Sequence, residues 1–358
     1  MVPGPCLPTE PVPPPAYHRL LAKQGSVIRI DALTLVRALH LLALCRRAVR
    51  LAQERTPVLS GARRGHPVVY APESLLVIGL LRVLWRLSYR DIHDWLVAWP
   101  ALAVACGLPT DQGGRPRVPS PAQQCKRQRA LGAPAYEMLF VCAVRAAITQ
   151  GIMGLRDLII DSAPVLAWRT DDPDAAYGHA PAHHAAALLR GFRVHTVLCR
   201  GSGLPAFFRV APANGHDAPF AQPLLAAVVA LYDRRPRVVR LDAAYWGLAL
   251  ITWIHTTLGA TAVIPWNPKR ARERTCLPPT WTRQDLGKRG SIERFFGRIF
   301  LFFHLQRPRV VGWSAVTQQV ALTYTAAIVV ALAAHAQGRD DLIRSPKRVL
   351  AHSWEGLL

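Results

Sequence analysis

Hydrophobic residues in the first third of the chain recur every three to four positions, which is the spacing of helices with one buried face. Residues 31–54 fit one such helix, with Asp31 as its N-cap, and residues 72–85 and 89–99 fit two more. A further helix begins after Ser120, whose side chain is placed to cap it. The pattern predicts an all-helical region with helix-turn-helix-like spacing, although any all-helical subdomain would look similar.

After residue 155 the pattern changes to short apolar runs that alternate with helices. Three runs of strand type come first, and a tight Gly-containing turn joins the second to the third. A helix, a strand, a second helix and a strand follow. This order predicts an α/β fold: a ribonuclease-H-like mixed sheet flanked by helices and preceded by an all-helical N-terminal domain. The predicted strands are residues 155–161, 191–199, 204–212, 237–242 and 261–266.

These patterns divide the chain into three predicted parts. Residues 1–25 form a proline-rich tail that lacks the apolar run of a secretory signal. Residues 26–132 form the helical domain, for DNA binding or dimerisation, and residues 133–358 form the ribonuclease-H-like domain with C-terminal helices. The apolar run at 320–334 is shorter than the roughly 20 residues that a bilayer requires. We therefore expect a buried core helix there and no membrane partner.

The charge of the chain indicates a polyanionic partner. A net charge of +22 favours binding to a phosphate backbone, so nucleic acid is the first candidate. Most of the 44 basic residues are arginine, which suits paired contacts to phosphate, although an arginine-rich codon bias would give the same preference. Residues 265–310 hold eleven basic and three acidic side chains, a net charge of +8. The seven cysteines are scattered without a C-x-x-C pair, which favours a reducing cytoplasm over a disulfide framework.

Three carboxylates stand in settings typical of a metal site that acts on nucleic acid. Asp161 and Asp242 close short apolar runs, and the ends of the first and fourth predicted strands lie side by side in a ribonuclease-H-like sheet. Glu293 lies near the start of an arginine-rich amphipathic helix that Ser291 is placed to cap. Carboxylate oxygens are the ligands of hard divalent cations, so we expect these side chains to form one metal site. A single aspartate at a strand end is often only a turn residue.

Other clusters of polar residues are weaker indications of a functional site. Several histidines, His195 among them, could be drawn as a zinc site with Cys199, but their spacing fits no standard ligand pattern and loop or core positions explain them better. Asn214, His216 and Asp217 either support the carboxylate site from behind or only shape a turn and cap the next helix. The sequence leaves these two alternatives open.

Five segments, in the correct order, resemble bacterial insertion-sequence DDE transposases, the superfamily with a tyrosine, arginine, glutamate and lysine signature around its last acid. The segments are SYRDIHDWLVAWPALAVACGLP, IDSAPVLAW, GFRVHTVLCRGSGLPAFFRVAPANGHDAPFAQPLL, LDAAYWG, and RGSIERFFGR with the HLQRPRVVGW that follows it. The resemblance implies that Asp161, Asp242 and Glu293 are the catalytic, metal-binding triad. It also implies that Arg289, four residues before Glu293, is the signature arginine.

The resemblance implies an enzyme that cleaves the ends of its element and joins the 3′ hydroxyl to target DNA by two-metal phosphoryl transfer. The implied cofactor is a pair of magnesium ions, with manganese as a substitute. The implied partner is double-stranded DNA, both the terminal inverted repeats and the target, bound by a homodimer in the cytoplasm, at the nucleoid. The basic side chains expected to contact DNA are Lys269, Arg270, Lys288, Arg289, Arg294 and Arg298.

Three departures from the family pattern keep other functions open. Leu286 and Phe300 stand where the signature has tyrosine and lysine, and Trp246 stands where members often carry an acid. These changes bear on contacts to the transferred DNA end and not on the metal-binding carboxylates. The alternatives are a catalytically decayed DNA-binding protein and a structure-selective nuclease on the same core.

Overall fold

The computed structural model describes residues 27–55, 69–180, 187–266 and 287–351, so the predicted proline-rich tail lies outside the described residues. The N-terminal part of the described chain is all-helical, as predicted. Its helices are α1 (Ala32–Ala38), α2 (Leu41–Arg55), α3 (Pro72–Leu84), α4 (Tyr89–Ala98), α5 (Pro100–Ala105), α6 (Pro121–Ala130) and α7 (Gly132–Thr149).

Local capping signals set several of these helix starts. Asp31 caps α1, since its side chain accepts a backbone N–H at 2.8 Å. Ser88 and Ser120 form capping boxes at the starts of α4 and α6. The single helix predicted at 31–54 is wrong, because His40 has a φ of 48° between α1 and α2. A left-handed residue cannot continue a right-handed helix.

In the part of the chain that the structure describes, six strands form one mixed sheet. Its order is β4–β3–β1–β5–β6, and the short β2 pairs with the start of β3. β3 runs antiparallel to both β1 and β4, whereas β5 and β6 run parallel to β1. Apart from the added β2, this is the ribonuclease-H-like strand order, so the predicted α/β fold class is confirmed. The strands are β1 (Asp157–Leu166), β2 (Ala176–His179), β3 (Leu188–Cys199), β4 (Leu204–Pro212), β5 (Val238–Arg240) and β6 (Thr261–Val263).

β1 is longer than predicted, and Asp161 lies in its middle rather than at its end. The strand continues through Pro164, a residue that lacks an N–H and therefore argues against a strand in the sequence. Pro164 is tolerated because β5 pairs with β1 only as far as Ile159, which leaves one side of β1 unpaired by β5 beyond that point. Ala163 and Val165 remain buried, which holds the extension against the core.

The remaining helices flank the sheet, and the longest of them connects it to the N-terminal helices. α11 packs on α7, α3 and β4, and in the core the Tyr324 hydroxyl shares a 2.7 Å hydrogen bond with Thr196 of β3. α11 is the one single helix in the described chain that is long and apolar enough to cross a membrane, but 78% of its apolar window is buried inside the protein. The core helix predicted at 320–334 is confirmed by this burial. These helices are α8 (Ala221–Tyr232), α9 (Leu248–Leu258), α10 (Gly290–Leu301), α11 (Trp313–Ala336) and α12 (Pro346–Val349).

Candidate active site

The parallel pairing of β1 and β5 places the first two predicted carboxylates side by side. In that register Ile159 pairs with Arg240, and Asp161 and Asp242 each lie two residues further along. Asp161 is still within β1, while Asp242 has left β5. The Asp242 side chain caps the short 3₁₀ turn Ala243–Tyr245, with Oδ1 accepting the Ala244 N–H at 2.8 Å. Its other oxygen, Oδ2, faces the same side as Asp161, because one guanidinium nitrogen contacts both carboxylates.

That guanidinium belongs to Arg289, which precedes α10 and brings the third carboxylate to the other two. Arg289 Nη1 lies 2.9 Å from Asp161 Oδ2 and 4.0 Å from Asp242 Oδ2, so those two oxygens are at most about 7 Å apart. Arg289 Nη2 lies 3.7 Å from Glu293 Oε1, one helical turn further on. The structure therefore brings Asp161, Asp242 and Glu293 together around one positive group.

The start of α10 differs from the prediction. Ser291 does not cap the helix: the N-cap is Arg289, without a side-chain cap, and the Ser291 hydroxyl instead donates to the Lys288 carbonyl at 3.4 Å. The helix begins earlier than the sequence indicated, which places Ser291 inside its first turn. Glu293 is nevertheless in that first turn, as predicted, where the helix dipole favours a carboxylate. Its side chain is 66% exposed, so it is accessible to a ligand.

Burial dominates the electrostatics of Asp161. It raises the pKa of this carboxyl from 3.8 to about 6, an effect that Arg289 and the Ser162 N–H oppose and that the nearby Asp242 and Asp217 carboxylates increase. The ionised site is therefore short of positive charge even with Arg289 in place. A group with this environment in an open site is typical of a functional position.

Asp217 supports β1 directly behind Asp161. Its Oδ1 accepts a 2.8 Å hydrogen bond from the hydroxyl of Ser162, and its Oδ2 accepts one at 3.1 Å from Nη1 of Arg193. Its side chain does not cap the following helix. Asn214 and His216 are exposed and do not join this cluster. Of the three residues whose role the sequence left open, only Asp217 contacts the strand that carries Asp161.

Two further polar groups are buried near the site, and the sequence reasoning missed the first of them, Tyr245. The Tyr245 hydroxyl is buried without a hydrogen-bond partner in the described chain, and burial, followed by the charges of Asp217, Asp161 and Asp242, raises its pKa. His195 is fully buried and its ring stacks on Phe220 at 3.8 Å. Burial lowers the pKa of His195 to about 4. Its position is that of a core histidine, and no group of three possible metal ligands is found among the described residues.

The basic side chains expected to contact DNA fall into two groups. Lys288 and Arg294 are exposed next to Glu293, and Arg298 is half-buried and donates to the Gly203 carbonyl at 2.9 Å. Lys269 and Arg270 lie outside the described residues, as does Leu286.

The two remaining positions that depart from the family pattern are at least partly buried. The Phe300 ring stacks on that of Phe296, with centroids 5.9 Å apart, and Trp246 is 8% exposed. Both side chains therefore contribute to packing.

The donor set has the chemistry of a divalent-cation site. All three converging side chains offer carboxylate oxygens, the ligands that magnesium and manganese prefer, and they already surround one positive group. In the described chain no three acidic, histidine or cysteine side chains are grouped closely enough to hold one ion together, and here Arg289 stands among the carboxylates. The residues thus fit the ion chemically once the guanidinium moves aside.

Comparisons with known proteins gave a family match and a structural similarity. A family profile described as "Transposase DDE domain" matches residues 153–329, a span that contains β1, β5 and α10. Among solved structures, the chain is similar to a piggyBac transposase in a synaptic complex with hairpin DNA, determined by cryo-EM. That similarity has a TM-score of 0.46 at 10% identity and covers 88% of this chain and 79% of the other. No curated protein matches the chain.

Proposed function

The chain belongs to the DDE transposases, enzymes that cleave and transfer DNA, and from that premise we propose that it cleaves the ends of its own insertion sequence and joins the freed 3′ hydroxyl to target DNA. We assign this chemistry to Asp161, Asp242 and Glu293. The observation that supports the assignment is their convergence on the Arg289 guanidinium from three separate elements.

The carboxylates would hold two magnesium ions, with manganese as a substitute. When bound, such ions neutralise the phosphate in the transition state and activate the attacking and leaving oxygens. Asp161 would be the most firmly fixed ligand, because it is the most buried of the three and lies in the middle of a strand. Asp242 and Glu293 complete the site from either side.

The residues around the triad position it. Asp217, Ser162 and Arg193 form hydrogen bonds that fix β1 next to Asp161, so the direction of that carboxylate is set before any ligand binds. Arg289 balances part of the negative charge of the free site. Once displaced, its guanidinium is close enough to the carboxylates to contact the phosphate being cut, which a planar fork binds well.

The wider organisation follows from this function. Residues 1–25 would be a tail, residues 26–132 a DNA-binding or dimerisation domain, and residues 133–358 the catalytic domain. The N-terminal helices share a hydrophobic core with α7 and α11. This shared core supports a role for the N-terminal helices in holding DNA in a fixed position next to the catalytic domain. We propose that the protein acts as a homodimer on double-stranded DNA, because two element ends must be held together, and that it acts at the bacterial nucleoid.

One observation favours a second candidate, a catalytically decayed DNA-binding protein. Phe300, which stands where the family signature has lysine, packs on Phe296 instead of presenting a charge. Such a protein would bind element ends without cutting them. A structure-selective nuclease is the third possibility, and it would cut branched or nicked DNA without forming a joined product.

The test is a cleavage and joining assay on a plasmid that carries the DNA flanking the gene on both sides, with magnesium present. Wild type is expected to release the segment and to join it to a second plasmid. Asp161→Asn, Asp242→Asn and Glu293→Gln are expected to lower the rate by at least about a thousandfold, since catalytic residues of one site act as a unit. DNA binding by each variant is measured in parallel.

Asp171→Asn is the matched control, because Asp171 is an exposed carboxylate paired with Arg169 and lies away from the triad. It should cut at the wild-type rate. If the triad variants cut as fast as this control, the assignment fails. Binding without any cleavage by wild type would select the decayed protein, and cleavage of branched DNA without joining would select the nuclease.

A further inference from the structure

An open basic cleft lies along α10 beside the candidate active site. Its volume is about 500 Å³, and parts of the chain that are far apart in sequence form its walls. The side chains that line it are Arg86, Arg294, Arg298 and Lys347, together with Leu301, Phe302 and the backbone at Gly297. We call this set the α10 cleft. Leu301 is 78% exposed, so the apolar part of the wall faces solvent.

The charge of the α10 cleft is not balanced within the protein. In the described parts of the chain none of its four basic side chains forms an ion pair with a carboxylate. Two arginines elsewhere do: Arg169 pairs with Asp171 at 2.6 Å, and Arg339 pairs with Asp341 at 2.8 Å. Four uncompensated cations around one cavity repel each other, and an anionic ligand would remove that repulsion.

The guanidinium of Arg298 shows how unfavourable the arrangement is without a ligand. Burial, together with the charges of Arg344 and Arg294, lowers its pKa from 12.5 to about 10. Arg86 is fixed on the opposite wall by contact with the ring of His304 and lies 5.7 Å above the ring of Phe302. The cations are thus held in place by packing rather than by acidic partners.

The position of the cleft relates it to the carboxylates. Arg294 directly follows Glu293 on α10. Arg298 lies five residues after Glu293 on the same helix, which is about 7.5 Å along the helix axis at a rise of 1.5 Å per residue. A DNA strand advances about 3.4 Å per phosphate along the duplex axis, so this distance corresponds to about two nucleotides. Gly297 lies between, and a Cβ there would meet nothing within 4 Å. A phosphate backbone therefore has room to pass from Glu293 into the cleft.

We propose that the α10 cleft binds phosphates of the DNA strand, beginning about two nucleotides from the bond that the carboxylates cut. Arg86 and Lys347 bind this strand together with Arg294 and Arg298, although they come from opposite ends of the chain. This inference rests on the proposed function for the location of the cut, but the cleft itself is defined by its charge and shape.

The experiment measures binding of a fluorescein-labelled 30-base-pair duplex of arbitrary sequence by fluorescence anisotropy, in EDTA and over a range of KCl concentrations. The test protein is the double variant Arg86→Gln/Lys347→Gln, which leaves Arg294 and Arg298 unchanged. Each phosphate contact contributes about 0.9 to the slope of log affinity against log salt concentration, so the double variant should lower that slope by about 2. Affinity should fall most at low salt.

The matched control is Arg169→Gln/Arg339→Gln, which removes the same number of positive charges from two ion pairs outside the cleft. Its slope should stay at the wild-type value, and both double variants should unfold at the wild-type temperature. An unchanged slope for Arg86→Gln/Lys347→Gln, or an equal decrease in the control, would overturn the proposal. Cleavage by wild type, scored separately, distinguishes an error in the cleft from an error in the proposed function.

The position along the strand is tested with a neutral methylphosphonate placed in turn at each phosphate near a mapped cut. Substitution two to three nucleotides from the cut should weaken binding by wild type but not by Arg86→Gln/Lys347→Gln. Equal sensitivity of both proteins at those positions would place the strand elsewhere.

Discussion

Replacement of Asp161 by asparagine should make the metal-free protein more stable at neutral pH while it abolishes activity. Asp161 has an 18% exposed side chain, and its pKa is raised to about 6 mainly by burial. Folding therefore favours the protonated carboxyl, and its ionisation in the folded state costs free energy. Asparagine has nearly the same shape without the charge, so it avoids this cost.

The magnitude follows from the shift. The pKa of Asp161 rises from 3.8 to about 6, and each pKa unit corresponds to 1.36 kcal/mol. The free energy of unfolding should therefore increase by at most about 3 kcal/mol in Asp161→Asn. The pKa of Asp161 is higher in the folded than in the unfolded state. Its contribution to the stability of wild type is therefore fully present below about pH 4 and is lost as the pH rises through about 6. The advantage of Asp161→Asn should therefore approach zero near pH 4 and reach its maximum above pH 6.

The assay is urea unfolding of both proteins between pH 4 and pH 8 in EDTA. Asp171→Asn serves as the control, because its ion pair with Arg169 lowers the pKa of Asp171 and the substitution should not stabilise the protein. Saturating magnesium should then stabilise wild type more than Asp161→Asn, since only the former keeps the full ligand set. An Asp161→Asn protein that is no more stable than wild type at pH 7.5, or a difference independent of pH, would refute the reasoning.

Two further predictions concern the site and the sheet. Arg289→Gln should tighten manganese binding in the absence of DNA by about tenfold, because the guanidinium competes with the cation for the same carboxylate oxygens. Electron paramagnetic resonance measures the affinity for manganese. An unchanged affinity would argue against competition. Gly191→Ala should destabilise the protein by about 2–3 kcal/mol in urea unfolding, because its Cβ would lie 2.2 Å from the Val165 carbonyl oxygen. Gly201→Ala, with nothing within 4 Å, is its control, and equal losses in the two variants would contradict the steric cause.

Much of the fold could be predicted because local chemistry and strand order agree. Asp31 and Ser120 cap helices as their side chains indicate, and the order of strands and helices after residue 155 predicted the sheet. Pro164 concealed the second half of β1, since only the pairing with neighbouring strands shows that its missing N–H is tolerated. The left-handed conformation of His40 likewise depends on how α1 and α2 pack.

The site was predictable at the level of residue identity but not of geometry. The sequence singled out Asp161, Asp242 and Glu293, and the β1–β5 register explains why the first two lie together. It could not show that Arg289 would stand among them, because that depends on how α10 approaches the sheet. Nor could it show the buried hydroxyl of Tyr245, which has no distinguishing motif and becomes apparent only from its surroundings.

The most direct test of the central claim, that the three carboxylates form one divalent-cation site, is a manganese titration followed by electron paramagnetic resonance in the presence of duplex DNA. Asp161→Asn, Asp242→Asn and Glu293→Gln should each weaken binding by at least about tenfold, and Asp171→Asn should bind as wild type does. Wild-type affinity in all three triad variants would contradict the claim.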